Sequence, residues 1–182
     1  MLERFGMVDL ATLTTPPMID LRYATPNNFT GVVLYPAARA WLVASAAMRL
    51  VRVIAELAAE HRRLIVWDAY RPPSVQQRMW DAHPDERFIA PPTRGSRHNR
   101  GASVDVAIAD SDGRLLELPT DFDEFSARAH SAYEGCSAAA RANRDRLRGA
   151  MSAAGFIGIQ DEWWHFDAPD WREHPVLDVP LE

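Results

Sequence analysis

The sequence predicts an α+β fold, a mostly antiparallel sheet with helices packed on it, in a single domain spanning residues 1–182. Three helical patterns are interleaved with a hairpin and two late strands, and the regular βαβ rhythm of a doubly wound parallel sheet is absent. A length of 182 residues suits one domain. A hydrophobic fraction of 47% and a charged fraction of 25% are those of a globular protein with a real core.

The elements follow in chain order. "MIDLRY" (18–23) alternates and reads as a first strand. "ATPNNFTG" is turn chemistry, with Pro26, two asparagines and Gly31. Residues 37–60 read as the clearest helix, with Trp41, Ala44, Met48, Val51 and Ala55 on one stripe and Arg49, Arg52, Glu56 and Glu60 on another. "RLIVWDAY" (63–70) is a buried strand. A second helix begins at Ser74, an N-cap serine with Gln77 three residues on as a capping box. "HPDERFIAPPTRG" is a loop. "SVDVAIAD" alternates strictly, with Val104, Val106 and Ile108 on one face and Asp105 and Ala107 on the other. "DSDG" is a hairpin turn and "RLLEL" its return strand. Residues 137–154 form a third helix closed by Gly155. "FIGIQ" and "WWHFD" finish the chain as two strands around the turn "DE".

Composition removes several function classes. The net charge of −5 disfavours a nucleic-acid partner. All 20 basic residues are arginine, so no lysine is available as a Schiff base or general base. The single cysteine, Cys136, excludes a disulfide within the chain and a multi-cysteine zinc site. No apolar run reaches the ~20 residues of a membrane span. The first twenty residues hold no stretch fit for a signal peptide. The expectation is a cytoplasmic protein with no membrane partner; oligomeric state is left open.

Six histidines are candidates for chemistry. His61, His83 and His174 read as structural, and His130 lies in a polar stretch. His98 and His165 differ through their neighbours. His98 precedes Asp105 by seven residues in "SRHNRGASVD", and His165 follows Glu162 by three in "EWWHF". A catalytic zinc ion takes three nitrogen or oxygen ligands plus water, and two histidines with Asp105 meet that count. Glu162 would then take the proton from the water. In a flat strand, residues three apart face opposite ways, so Glu162 must sit at the irregular end of its strand. The other reading is a polar loop beside an aromatic strand. Arg71, stiffened by two following prolines, is either an oxyanion-stabilising residue or the structural partner of Asp68.

The motifs resemble those of the D-alanyl-D-alanine dipeptidases, zinc enzymes of peptidase family M15. "SRHNRGASVD" resembles their S-x-H-x-x-G-x-A-x-D motif and "EWWHF" their E-x-W-H element. "LRYATPNNFTG", "WDAYRP" and "FDEFSARAH" match three further segments in the family's order, between about residues 19 and 167. The resemblance implies one zinc ion held by His98, Asp105 and His165 in a central cleft, Glu162 as catalytic base and Arg71 at the tetrahedral intermediate. It implies that Ser96 meets the carboxylate side of a small dipeptide substrate, Asp123 its ammonium, and that Tyr23 lines the pocket. The implied reaction is hydrolysis of D-alanyl-D-alanine to two D-alanines. The alternatives are a related zinc D,D-carboxypeptidase or L,D-peptidase of cell-wall peptides, and a metal- or peptide-binding module without turnover. The sequence departs from the pattern at Ser103, where alanine is usual, with little effect expected on zinc binding. The loop between Trp80 and Ser96 is also short.

Overall fold

The computed structural model describes residues 2–181. In chain order the elements are β1 (Met7–Asp9), β2 (Met18–Ile19), β3 (Trp41–Val43), α1 (Ala44–Ala58), β4 (Arg63–Asp68), α2 (Pro73–Ala82), β5 (Ser103–Ala109), α3 (Ala138–Ala153), β6 (Ile157–Gly158) and β7 (His165–Asp167). Short 3-10 turns join them. A five-stranded sheet runs β2-β4-β5-β7-β6, and β1 and β3 form a separate antiparallel pair. Only the edge pair β2–β4 is parallel. The fold is therefore α+β with a mostly antiparallel sheet, as the sequence predicts.

The core lies where α1 packs on β3, β4 and α3, and where α3 packs on β5 and β6. Ala46, Ala47, Leu50, Val53, Ile54 and Leu57 form the buried stripe of α1, at the three- and four-residue spacing of one helical face. All seven residues of β5 and five of six in β4 are buried, so the sheet is covered on both faces at its centre. Arg146 of α3 pairs with Glu56 and Glu60 at the end of α1.

Several elements differ from the sequence reading. Trp41–Val43 is strand, not helix, because it pairs with β1, and α1 begins only at Ala44. The predicted apolar stripe was rotated accordingly: Met48 is 62% exposed. β1 itself is too short, at three residues, to show a period. Helix α2 starts at Pro73 without a side-chain cap, since proline at the first turn has no N–H to satisfy. Gln77 bonds Asp81 instead of closing a capping box at Ser74. The "DSDG" turn forms, but "RLLEL" contributes a single bridge, Leu115 to Ala109. That bridge lies beyond the stretch of β5 that β7 covers, Ser103–Asp105, and the Leu116 N–H donates to the Ile108 carbonyl at 3.0 Å. "MIDLRY" supplies only two strand residues before a 3-10 turn at Arg22–Ala24, and the last two strands are likewise shorter than expected. Helix α3 carries the expected ends: Ser137 accepts from the Ala140 N–H, and Gly155 follows with φ +87°.

Gly101 ends the 3-10 turn Arg97–Arg100 with φ +64° and directs the chain into β5. A Cβ there would run into the Met7 thioether. Gly101→Ala is expected to destabilise the fold by about 1–2 kcal/mol, from the left-handed backbone alone. A thermal melt checks this.

Candidate active site

The sheet register builds the site. Asp105 on β5 pairs across one edge with Asp68 at the end of β4, and across the other with His165 on β7. Three side chains from neighbouring strands thus stand in one row. His98 reaches the row from the 3-10 turn before β5. That turn is capped by Ser96, whose hydroxyl accepts from the His98 N–H at 3.3 Å, and by Asn99, whose side chain accepts from the Ser96 N–H at 2.6 Å. The Asn99 amide also donates to the Arg71 carbonyl at 2.7 Å, and the Arg71 N–H donates to the His98 carbonyl at 3.1 Å. The two motif loops are therefore bonded to each other.

His98 Nε2, His165 Nδ1 and Asp105 Oδ1 converge. The separations are 3.1 Å between the two nitrogens, 2.9 Å from His165 Nδ1 to Asp105 and 3.4 Å from His98 Nε2 to Asp105. Tetrahedral zinc with bonds of about 2.0–2.1 Å needs ligand atoms about 3.3 Å apart. The proton positions agree. His98 Nδ1 lies 2.8 Å from the Ala69 carbonyl, which only accepts, so that nitrogen carries the hydrogen and Nε2 offers a lone pair. His165 Nε2 lies 2.9 Å from Asp167 Oδ1 and Nδ1 2.9 Å from Asp105 Oδ1, so with the ring hydrogen on Nε2 its Nδ1 offers a lone pair. Two lone pairs and a carboxylate oxygen thus face one point, and a cation fits there. When a proton sits there instead, burial opposes the imidazolium, but the hydrogen bonds of Asp105 and Asp167 outweigh burial and push His165 up to about 10. Burial likewise opposes the Asp105 charge, and the two histidines overcome it and hold the carboxyl well below the usual range. Among the described residues this trio is the one group of histidine and acidic side chains arranged to hold a metal ion.

Glu162 precedes the turn Trp163–Trp164, and the His165 N–H closes that turn on the Glu162 carbonyl. The irregular strand end that the sequence reading required is present. The Glu162 carboxylate lies 3.9 Å from His165 Nδ1, beside the three donors but not among them, and is 22% exposed. Burial, reinforced by the Asp105 charge, pushes it up to about 7.

Arg71 is buried, with Nε and Nη2 at 3.0 and 2.6 Å from Asp68 Oδ2 and Nη1 at 2.8 Å from Gln76. Its guanidinium sits 5.2 Å from the centre of the Tyr23 ring. Arg71 is thus paired with Asp68, and it also lines the cleft. The Tyr23 hydroxyl donates to Asp123 at 2.6 Å. Asp123 has φ +56°, a strained conformation that aims its carboxyl at the cleft residues. Burial pushes that carboxyl well above its ordinary range.

A cleft of about 590 Å³ opens over the row, and every sequence-predicted site residue lines it: Tyr23, Arg71, Ser96, His98, Asp105, Asp123, Glu162 and His165. Sequence reasoning missed the supporting acids. Asp68 holds Arg71, and Asp167 holds His165. Asp68 was noted only as a possible structural partner, and Asp167 had no signal beyond its place two residues after His165. The Ser103 hydroxyl, buried beside Asp105, donates to Asp167 at 2.6 Å. No helix among the described residues is long and apolar enough to cross a membrane.

Comparison with known proteins gives one answer. A family model described as D-ala-D-ala dipeptidase, peptidase M15, matches residues 3–179. The chain is 36% identical over 171 residues to a D-alanyl-D-alanine dipeptidase of Escherichia coli, covering 94% of this chain and 89% of that one. It is 30% identical over 172 residues to the enzyme of that name from Enterococcus faecalis, covering 83% and 85%. For Enterococcus faecium the identity is 30% over 168 residues, covering 81% and 83%.

Proposed function

The chain belongs to the D-Ala-D-Ala dipeptidase family, peptidase M15, and from that premise we propose that this zinc metallopeptidase hydrolyses the D-alanyl-D-alanine dipeptide to two D-alanines. The observation that carries the proposal is the convergence of His98 Nε2, Asp105 Oδ1 and His165 Nδ1 on one point, with Glu162 and Arg71 facing the same cleft. The family match over residues 3–179 supports reading the chain as a single dipeptidase domain.

His98, Asp105 and His165 hold the zinc ion. Bound there, zinc supplies Lewis acidity, polarising the scissile carbonyl and acidifying a water. The Glu162 carboxylate takes a proton from the attacking water and delivers it to the nitrogen of the leaving D-alanine. Its raised pKa suits that exchange. The Arg71 guanidinium, aimed by Asp68 and Gln76, stabilises the negative oxygen of the tetrahedral intermediate. Asp123, oriented by Tyr23, meets the substrate ammonium, whose charge brings the carboxyl back to its ionised form. Ser96 meets the carboxylate side; its oxygen accepts from the His98 N–H and its hydroxyl hydrogen is left to donate. Two charged termini recognised within one cleft favour a dipeptide over a longer chain.

The test is release of free D-alanine from D-Ala-D-Ala by the purified protein, before and after chelation. Release is expected to vanish on chelation and return with added zinc. Hydrolysis of longer muropeptides in preference to the dipeptide would move the assignment to a carboxypeptidase. Absence of release from a zinc-loaded, folded sample across both substrate types would favour a binding module.

A further inference from the structure

We infer that Asp167 is a positioning residue, clamped by Ser103 and Arg97, that selects Nδ1 as the metal-facing nitrogen of His165. The inference rests on the zinc ligand set proposed above. His165 lies between two carboxylates, Asp105 at 2.9 Å from Nδ1 and Asp167 at 2.9 Å from Nε2. A ring flip would exchange the two nitrogens, so the two carboxylates have to differ if one arrangement is to prevail.

They differ in what else they bind. Asp167 Oδ1 receives the Ser103 hydroxyl at 2.6 Å as well as His165, and Oδ2 pairs with the Arg97 guanidinium. Both oxygens are occupied by donors, so Asp167 cannot turn to take a metal ion although it lies two residues from a ligand. Among the described residues, the polar partners of the Asp105 carboxylate are the two histidines, and its oxygen stays open to a cation. Backbone pairing holds the clamp in place. His165 and Asp167 share one face of β7, and Ser103 is the direct cross-strand partner of Asp167 on β5. Arg97 arrives from the same 3-10 turn that delivers His98, and it stacks 4.9 Å over Trp171. One carboxylate thus joins the ligand on β7 to the turn that carries the other histidine. An acidic partner on the far nitrogen of a ligating histidine fixes its tautomer and raises its basicity. Ser103 therefore acts on the site, whereas the sequence reading expected it to matter little for zinc.

The test measures zinc affinity of the full chain by competition with a chromophoric chelator, together with the ring protonation of His165 by long-range ¹H–¹⁵N spectroscopy. In the zinc-loaded protein, His165 is expected to carry its proton on Nε2. Asp167→Ala is expected to weaken zinc binding about 10–100-fold. Ser103→Ala, a small buried change, and Arg97→Ala, at a side chain 42% exposed, are expected to weaken it by smaller factors, and both keep the fold within reach if Asp167→Ala does not. A proton on Nδ1, or unchanged zinc affinity in folded forms of all three variants, overturns the inference. If the unaltered chain binds no zinc, or His98→Ala binds as well as the unaltered chain, the ligand set itself is wrong and the clamp falls with it.

Discussion

Replacing Glu162 with alanine is expected to lower kcat by about 10²–10⁴-fold, the usual worth of a positioned acid–base group, with zinc still bound. The carboxylate stands 3.9 Å from His165 Nδ1 and outside the three converging donors, so its removal leaves the ligand set complete. The pH dependence carries a second signature. A base must be ionised to work, so activity falls as pH drops through its pKa. Burial pushes Glu162 up to about 7, and a bound divalent cation pulls it down again, so the acidic limb of kcat/KM is expected below about pH 7. That limb is expected to be lost from the residual activity of the variant. Metal analysis with a pH–rate profile checks both points. Loss of zinc would make Glu162 a ligand, and unchanged turnover would remove it from the chemistry.

Arg71→Ala is expected to act on activity and on stability, because the side chain is paired with Asp68 and is proposed to bear the oxyanion. Removing a preorganised oxyanion donor costs about 10²–10³-fold in kcat. It also leaves Asp68, fully buried, without its cation, and breaking a buried pair from one side costs about 3–5 kcal/mol. Asp68 keeps the Tyr35 hydroxyl at 2.5 Å and the Ala69 N–H at 2.9 Å, which places the loss toward the lower end of that range. Zinc content is expected to be unchanged, since Arg71 touches none of the three donors. Arg71→Lys keeps the charge but cannot hold Asp68 and Gln76 in the same fork, so it is expected to recover only part of either loss. Turnover and a denaturation curve on the same samples separate the roles. A fall in stability with unchanged kcat would leave Arg71 as the structural partner of Asp68 alone.

Much of the site was legible because its residues carry chemistry by type and lie in short motifs. His98 and Asp105 are seven residues apart, and Glu162 and His165 are three apart. Each pair spans one turn entering one strand, so local spacing reports on local geometry. The α+β class was legible for a similar reason, since α3 and β5 show their own periods and ends. The supporting shell was not. Ser103 and Asp167 lie 64 residues apart and meet only because β5 pairs with β7, and Arg71 meets the His98 turn only through Asn99 and one backbone bond. The same limit explains the errors in the elements. Trp41–Val43 looks helical until β1 pairs with it, and "RLLEL" looks like a strand but contributes one bridge, Leu115 to Ala109.

By itself, then, the sequence determined the chemical inventory: two histidines and an aspartate able to ligate, a glutamate able to exchange a proton, and an arginine able to bear an oxyanion. The tertiary structure alone decided which nitrogen of each histidine faces Asp105, that Asp167 is held by Ser103 and Arg97, and that Arg71 is shared between Asp68 and the cleft. The physical reason is that ligation depends on lone pairs brought within about 3.3 Å of one another. Those distances are set by strand register and by hydrogen bonds between residues far apart in the chain.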